Sequence, residues 1–177
     1  MRKRIGLLPS LAPLALMGTS PTLQAQIDFV PDPGDVASLD AIMAAYYEIV
    51  SGPAGEPADR QRDEYIHIEN AQVGFTILDD HGNQGLHLMT IGRFHEMFGG
   101  PRREPFYERE LHRVTQRFGA VVHIWSTYES SREPGGEAFT RGINSIQLYF
   151  DGERWWVTSW IFDQERDDNP IPAEYLP

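Results

Sequence analysis

The chain has 177 residues, no Cys, and 26 acidic against 15 basic residues, for a formal net charge of -11. This length suits one domain able to bury a core without covalent staples. Zero Cys excludes disulfides, thiolate metal sites and cysteine nucleophiles, and the acid surplus argues against a nucleic-acid partner, whose phosphates require clustered Lys and Arg.

Arg2, Lys3 and Arg4 open the chain, an apolar run follows from Ile5 to Met17, and Thr19, Ser20 and Pro21 break it ahead of Leu23 to Gln26. This is the order of a secretory signal peptide over residues 1–25, so the protein is expected to be exported, periplasmic or secreted. The run falls short of the about 20 residues that cross a bilayer and contains Pro9 and Pro13, so no membrane association is expected after its removal. Removal takes three cations and no acids, leaving the mature chain more acidic still.

Residues 26–34 form a Pro-rich, extended lead-in. Asp35 or Ser38 can cap a helix running to Val50, with apolar residues at Leu39, Ile42, Met43, Tyr46, Tyr47, Ile49 and Val50 in helical spacing. Ser51-Gly52-Pro53 stops it, and Glu56 to Tyr65 reads as a short second helix. Ala71 to Leu78 alternates as a strand, Asp79 to Asn83 is a turn or loop, and Thr90 caps a third helix ending at Gly99-Gly100-Pro101. The rest is mostly strand: Phe106 to Phe118, Ala120 to Ser130, Ile143 to Phe150 and Arg154 to Phe162, with a polar, Pro-rich tail pinned by Tyr175 and Leu176.

Asp151-Gly152 marks a hairpin between the last two strands. With these as the two turn residues, Phe150 faces Glu153 and Leu148 faces Trp155. Asn144, Ile146, Leu148, Phe150, Trp155, Val157, Ser159 and Ile161 then share a core face. Tyr149, Trp156, Thr158, Trp160 and Phe162 share the other. Aromatics mixed with Thr, Ser and Gln suit a sheet-to-sheet contact, so a homodimer through Tyr149, Trp156 and Trp160 is expected, against the alternative of a solvated outer face.

Two or three helices, a strand, a helix and four long antiparallel strands is the element order of an α+β cone. In such a cone a strongly bent antiparallel sheet wraps a long N-terminal helix and leaves a pocket at its open end. The segments DEYIHIENAQV, ELHRVTQRFGAVVHIWSTYES and RGINSIQLYFDGERWWVTSW, with the tail DNPIPAEYL, resemble the nuclear transport factor 2-like (NTF2-like) superfamily, in particular its bacterial SnoaL-like and DUF4440-like members. The resemblance implies a single domain over 35–177. Its fold is shared by isomerases, dehydratases, cyclases, hydrolases and ligand-binding or scaffolding domains, so fold does not give function. Members resembling ketosteroid isomerase use a carboxylate base with Tyr or acid donors, and many members look like homodimers joined through the sheet. No catalytic position of theirs is carried onto this chain.

Among the residues able to carry chemistry, His123 lies within a strand, where it reads either as a pocket base or as a satisfied core or interface His. On the preceding strand Glu108, Glu110 and His112 share one parity, with Arg109 and Arg113 on the other. With a tight turn at Gly119-Ala120, Gln116 faces His123 and Glu110 faces Glu129, which puts Glu110 and His123 on one face. That cluster is either a proton-abstraction set or a solvated face with ion pairs. Tyr128 could donate to an oxyanion. Arg141 could hold a substrate carboxylate or bond near its own strand end. Asn144 and Tyr46 are further ligand-binding candidates, with a core role the stronger reading for Tyr46.

His67, His81, His87 and His95 lie near the open end without metal-ligand spacing, so no metal is expected. The absence of GxxxxGK[ST], GxGxxG and GxSxG motifs leaves no expected cofactor. The reading is an exported pocket protein for a small hydrophobic molecule, with cofactor-independent proton transfer of the isomerase, cyclase or dehydratase kind on a carbonyl-bearing substrate. His123 would be base or acid, supported by Glu110 and Tyr128. The alternative is a non-catalytic periplasmic ligand-binding or protein-interaction module.

Overall fold

Ser38 begins α1 (Leu39–Val50): its backbone is extended and its hydroxyl accepts the Ala41 N–H at 3.1 Å. Asp35, the other expected cap, instead receives the Arg62 guanidinium at 2.7 and 2.8 Å and ties the 3-10 turn Pro33–Val36 to α2 (Arg60–Ile66). The computed structural model describes residues 29–177, so the leader expected over 1–25 lies outside the described residues. Thr90 caps α3 (Ile91–Phe98) as expected, its hydroxyl accepting the Arg93 N–H at 3.3 Å. Among the described residues, no helix is long and apolar enough to cross a membrane.

Six strands form one curved, unclosed sheet: β1 (His67–Leu78), β2 (Gln84–Thr90), β3 (Tyr107–Phe118), β4 (Val121–Ser131), β5 (Ala138–Phe150) and β6 (Trp155–Gln164). Their order is β2-β1-β6-β5-β4-β3, with β1 parallel to β6 and every other pair antiparallel. The sequence pattern does not announce β2. It is an edge strand exposed on most positions, so the alternation that marks a half-buried strand is missing. Ile42, Met43, Tyr46, Tyr47 and Ile49 of α1 pack with Val122, Ile124, Ile146, Leu148 and Val157 in the core, at spacings that keep one helix face on the sheet.

Two register changes correct the expected faces. At the last hairpin Asp151 organises a longer loop. Its Oδ1 accepts the N–H groups of Glu153 and Arg154 at 2.8 and 2.9 Å, and its Oδ2 accepts Trp156 Nε1–H at 2.6 Å. Phe150 therefore faces Trp155, and Leu148 faces Val157. Parity survives to Val157, and a bulge then inserts Thr158 as an extra residue, because Gln147 pairs with Ser159. Trp160 and Phe162 consequently turn inward. Trp160 is only 6 % exposed, so it cannot join Tyr149 and Trp156 on the outer face. Ile161, expected in the core, points outward instead.

A second bulge lies at Leu111 on β3. Gln116 pairs with His123 as expected, but Glu110 pairs with Tyr128 rather than Glu129. This puts Glu110 and Arg113 on one face, where regular alternation would separate them, and they form an ion pair at 2.5 Å. It also separates Glu110 from His123. The tail crosses the outer face, where Thr127 Oγ1–H donates to the Tyr175 carbonyl at 2.6 Å and Tyr175 packs near Trp125.

Candidate functional site

The concave face of the sheet, α1 and α3 enclose a cavity of about 870 Å³. Its walls are largely aromatic: Phe75, Phe94, Phe98, Trp160 and Phe162 line it, with Phe94 edge-on to Trp160 at 5.2 Å. A volume near the upper end for small-molecule sites, apolar walls and a few convergent polar groups are the attributes of a ligand site.

Glu108 is the polar group that most distinguishes the cavity. Ser51, just past the end of α1, accepts the Glu108 N–H on its hydroxyl at 3.0 Å and donates that hydroxyl to the Tyr47 carbonyl at 2.7 Å. Gly52 pairs with Phe106 through two backbone bonds of 2.7 and 3.0 Å. Arg102 closes this junction, donating to the carbonyls of Val50 and Ser51 at 2.9 and 3.0 Å and to those of Glu56 and Pro57 at 3.0 Å. A Cβ at Gly52 would lie 2.7 Å from the Arg102 guanidinium, so a larger residue there would have to shift the end of that side chain. The start of β3 is thus fixed to the end of α1, and the Glu108 side chain is held inside. Burial pushes its carboxyl up to about 7, only partly opposed by the hydrogen bond from Ser130 Oγ at 2.9 Å.

Tyr128, Tyr46 and Asn144 line the same cavity. Burial, with the charge of Glu108 next in weight, holds the Tyr128 phenol well above its ordinary value, so it stays a proton donor. Gly142 makes room for that ring: a Cβ there would lie 2.6 Å from the phenol oxygen. Tyr46 O–H reaches Asn144 Oδ1 at 3.5 Å, and Asn144 Nδ2 donates to Tyr47 OH at 3.2 Å. The Tyr47 hydroxyl lies 2.6 Å from Ser126 Oγ, which donates to Glu110 Oε1 at 2.5 Å. Glu110 therefore stands behind the cavity wall, where the Arg113 guanidinium also engages it.

Asp63 also lines the cavity, between two histidines. Its Oδ2 lies 2.7 Å from His95 Nε2 and its Oδ1 3.2 Å from His67 Nδ1. Trp160 Nε1–H donates to His67 Nε2 at 3.1 Å, which fixes the His67 proton on Nδ1. Burial alone would raise the Asp63 carboxyl, but the two histidines outweigh it and keep it ionised well below the usual carboxylate range. Among the described residues, no group of three His, Asp or Glu side chains has the spacing to hold a metal ion.

Of the residues singled out from sequence, Tyr128, Asn144 and Tyr46 meet in the cavity. Glu110 does not line it and reaches the lining residue Asn144 only through Ser126 and Tyr47. His123 alternates with the fully buried Val122 and Ile124, so it faces the outer side, where Nε2 lies 3.1 Å from Ser145 Oγ. Arg141 holds Glu165 at 2.8 Å and does not line the cavity. Glu108, Asp63 and Trp160 were the residues missed. Regular alternation would place Glu108 on the outer face with His123; the Leu111 bulge turns it inward, and the α1 junction covers it.

Comparison with known proteins agrees with this architecture. No family model matches the chain, and no curated protein matches it. Among solved structures, an NTF2-like protein of unknown function from Silicibacter pomeroyi superposes with a TM-score of 0.50 at 15% identity, covering 73% of this chain and 94% of that one. A protein described as a candidate ketosteroid isomerase from Parabacteroides distasonis gives a TM-score of 0.50 at 8% identity, covering 84% and 95%. The chain has the α+β cone fold of the NTF2-like proteins. At these identities the likeness shows the fold alone.

Proposed function

We propose that the cavity binds a hydrophobic, carbonyl-bearing small molecule and moves a proton on it without a cofactor. One observation carries this reading: a carboxyl group whose pKa burial has brought to about 7 faces an aromatic cavity beside a phenol that stays protonated. In the ionised state Glu108 takes a proton from the carbon next to the substrate carbonyl. The C–H electron pair moves into the new C=C bond, and the carbonyl π pair moves to oxygen. Tyr128 donates a hydrogen bond to that oxygen, and Glu108 returns its proton to carbon. The apolar walls favour the uncharged body of the substrate and keep Glu108 desolvated.

The test is deuterium exchange into the α-position of a hydrophobic ketone such as β-tetralone in heavy water, followed by NMR. Exchange above the buffer rate that is lost in Glu108→Gln supports the reading. Binding of the ketone with no exchange supports a non-catalytic ligand-binding module instead.

The expected export rests on the charged, apolar and small-residue order of residues 1–25. A dimer through the outer face rests on Tyr149, which is 44% exposed, with Trp156 beside it, and excludes Trp160. Light scattering that gives a monomer at high concentration removes the dimer.

A further inference from the structure

The charged groups lining the cavity differ in exposure: Asp63 is buried and Glu108 half-buried, whereas Arg103 is exposed. Inside lie two carboxyl groups, Asp63 held ionised and Glu108 titrating near neutrality. Exposed residues of the segment after α3, Gly100, Arg103 and Glu104, form the rim. Three arginines line the cavity, and two are occupied. Arg102 is spent on the carbonyls at the end of α1. Arg132 pairs with Glu104 at 2.6 Å, donates to the Pro105 carbonyl at 3.1 Å and lies 4.0 Å over the Phe139 ring. Among the described residues Arg103 alone of the three makes no hydrogen bond or ion pair, and Glu104, the acid beside it, is already neutralised by Arg132.

We infer that the ligand is an amphipathic anion that enters with its apolar, carbonyl-bearing end first and leaves a carboxylate at the rim on Arg103. The inference rests on the reading of this cavity as a small-molecule site. Three terms set the orientation. Aromatic walls take the apolar body. The inner carboxylates repel a second negative charge in a region of low dielectric. The unpaired guanidinium offers a planar pair of donors where the cavity opens. A chain with a net charge of -11 has no general attraction for anions, so a preference for one must be local.

The experiment compares dodecanoate with dodecanol, which share an alkyl chain and differ in headgroup charge, by calorimetric titration of the full protein. The unmodified protein is expected to bind dodecanoate about fivefold or more tightly than dodecanol, a preference that added salt erodes. Arg103→Gln abolishes the preference and leaves dodecanol affinity unchanged. Arg103→Glu reverses the preference. Equal affinities in the unmodified protein, a preference that survives Arg103→Gln, or failure of both probes to bind overturns the inference. These outcomes do not depend on turnover. A preference for dodecanoate without ketone exchange retires the proton-transfer reading alone, and exchange without the preference retires only the anionic headgroup.

Discussion

Ser130 Oγ–H donates to Glu108 Oε2 at 2.9 Å, and among the described residues this is the one side-chain hydrogen bond that the half-buried carboxylate receives. A carboxylate that accepts two or three donors is pushed to low pKa, whereas one so sparsely solvated is left near neutrality. The remaining oxygen is available to a ligand. Ser130→Ala removes the last group favouring the charged form, so the Glu108 pKa is expected to rise by about half a unit to one unit above its starting value, read by carbon-detected NMR titration. A fall, or no change, would mean that the serine does not stabilise the carboxylate.

Linkage makes the same residue a stability term. Glu108 has a folded pKa of about 7 against 4.5 in an unfolded chain. Between those values the native state binds the proton that the unfolded state has lost. Stability attributable to this group therefore falls as pH rises through that window and then levels off. Glu108→Gln is expected to be more stable than the parent by up to about 3 kcal/mol at about pH 8 and equal to it in acid. Urea denaturation across pH checks both limbs.

Adjacent tyrosines on α1 are expected to differ in what their hydroxyls contribute. Tyr47 OH is bonded to Ser126 at 2.6 Å and accepts from Asn144 at 3.2 Å, whereas Tyr46 O–H has a single contact of 3.5 Å. Tyr47→Phe leaves two buried partners short of a bond and is expected to cost about 1–3 kcal/mol, while Tyr46→Phe costs under about 1 kcal/mol. Chemical denaturation of the two variants under one set of conditions orders them.

Gly142 is expected to be intolerant of even a methyl group. A Cβ would meet the Asp163 carbonyl across the β5–β6 pair and the Tyr128 oxygen at 2.6 Å. Backbone cannot yield on one side, so Gly142→Ala displaces the Tyr128 ring and costs about 1–3 kcal/mol. Thermal unfolding reads the cost. A shift of the Tyr128 ring resonances in NMR reads the displacement.

Much of the fold was legible because its signals are local. Thr90 and Ser38 cap helices for reasons visible in a few residues, and the strands from Tyr107 onward alternate over long stretches. The bulges were not legible. Thr158 and Leu111 are ordinary strand residues, and nothing in their type says that an extra residue is inserted there. Each nevertheless reverses the faces beyond it. This is why regular alternation places Trp160 on the outer face and Glu110 on the same face as His123. The candidate site suffered most, because a site is a question of faces. Glu108 and Glu110 are indistinguishable as sequence. The first is desolvated by the junction of Ser51, Gly52 and Arg102, and the second is neutralised by Arg113 across a bulge.

The most direct measurement of the central claim is the pH dependence of α-proton exchange on β-tetralone. The account requires a rate that rises with an apparent pKa near 7 and is lost in Glu108→Gln, with Tyr128→Phe slower at every pH. A rate that is flat across neutrality, or one that survives Glu108→Gln, would contradict it.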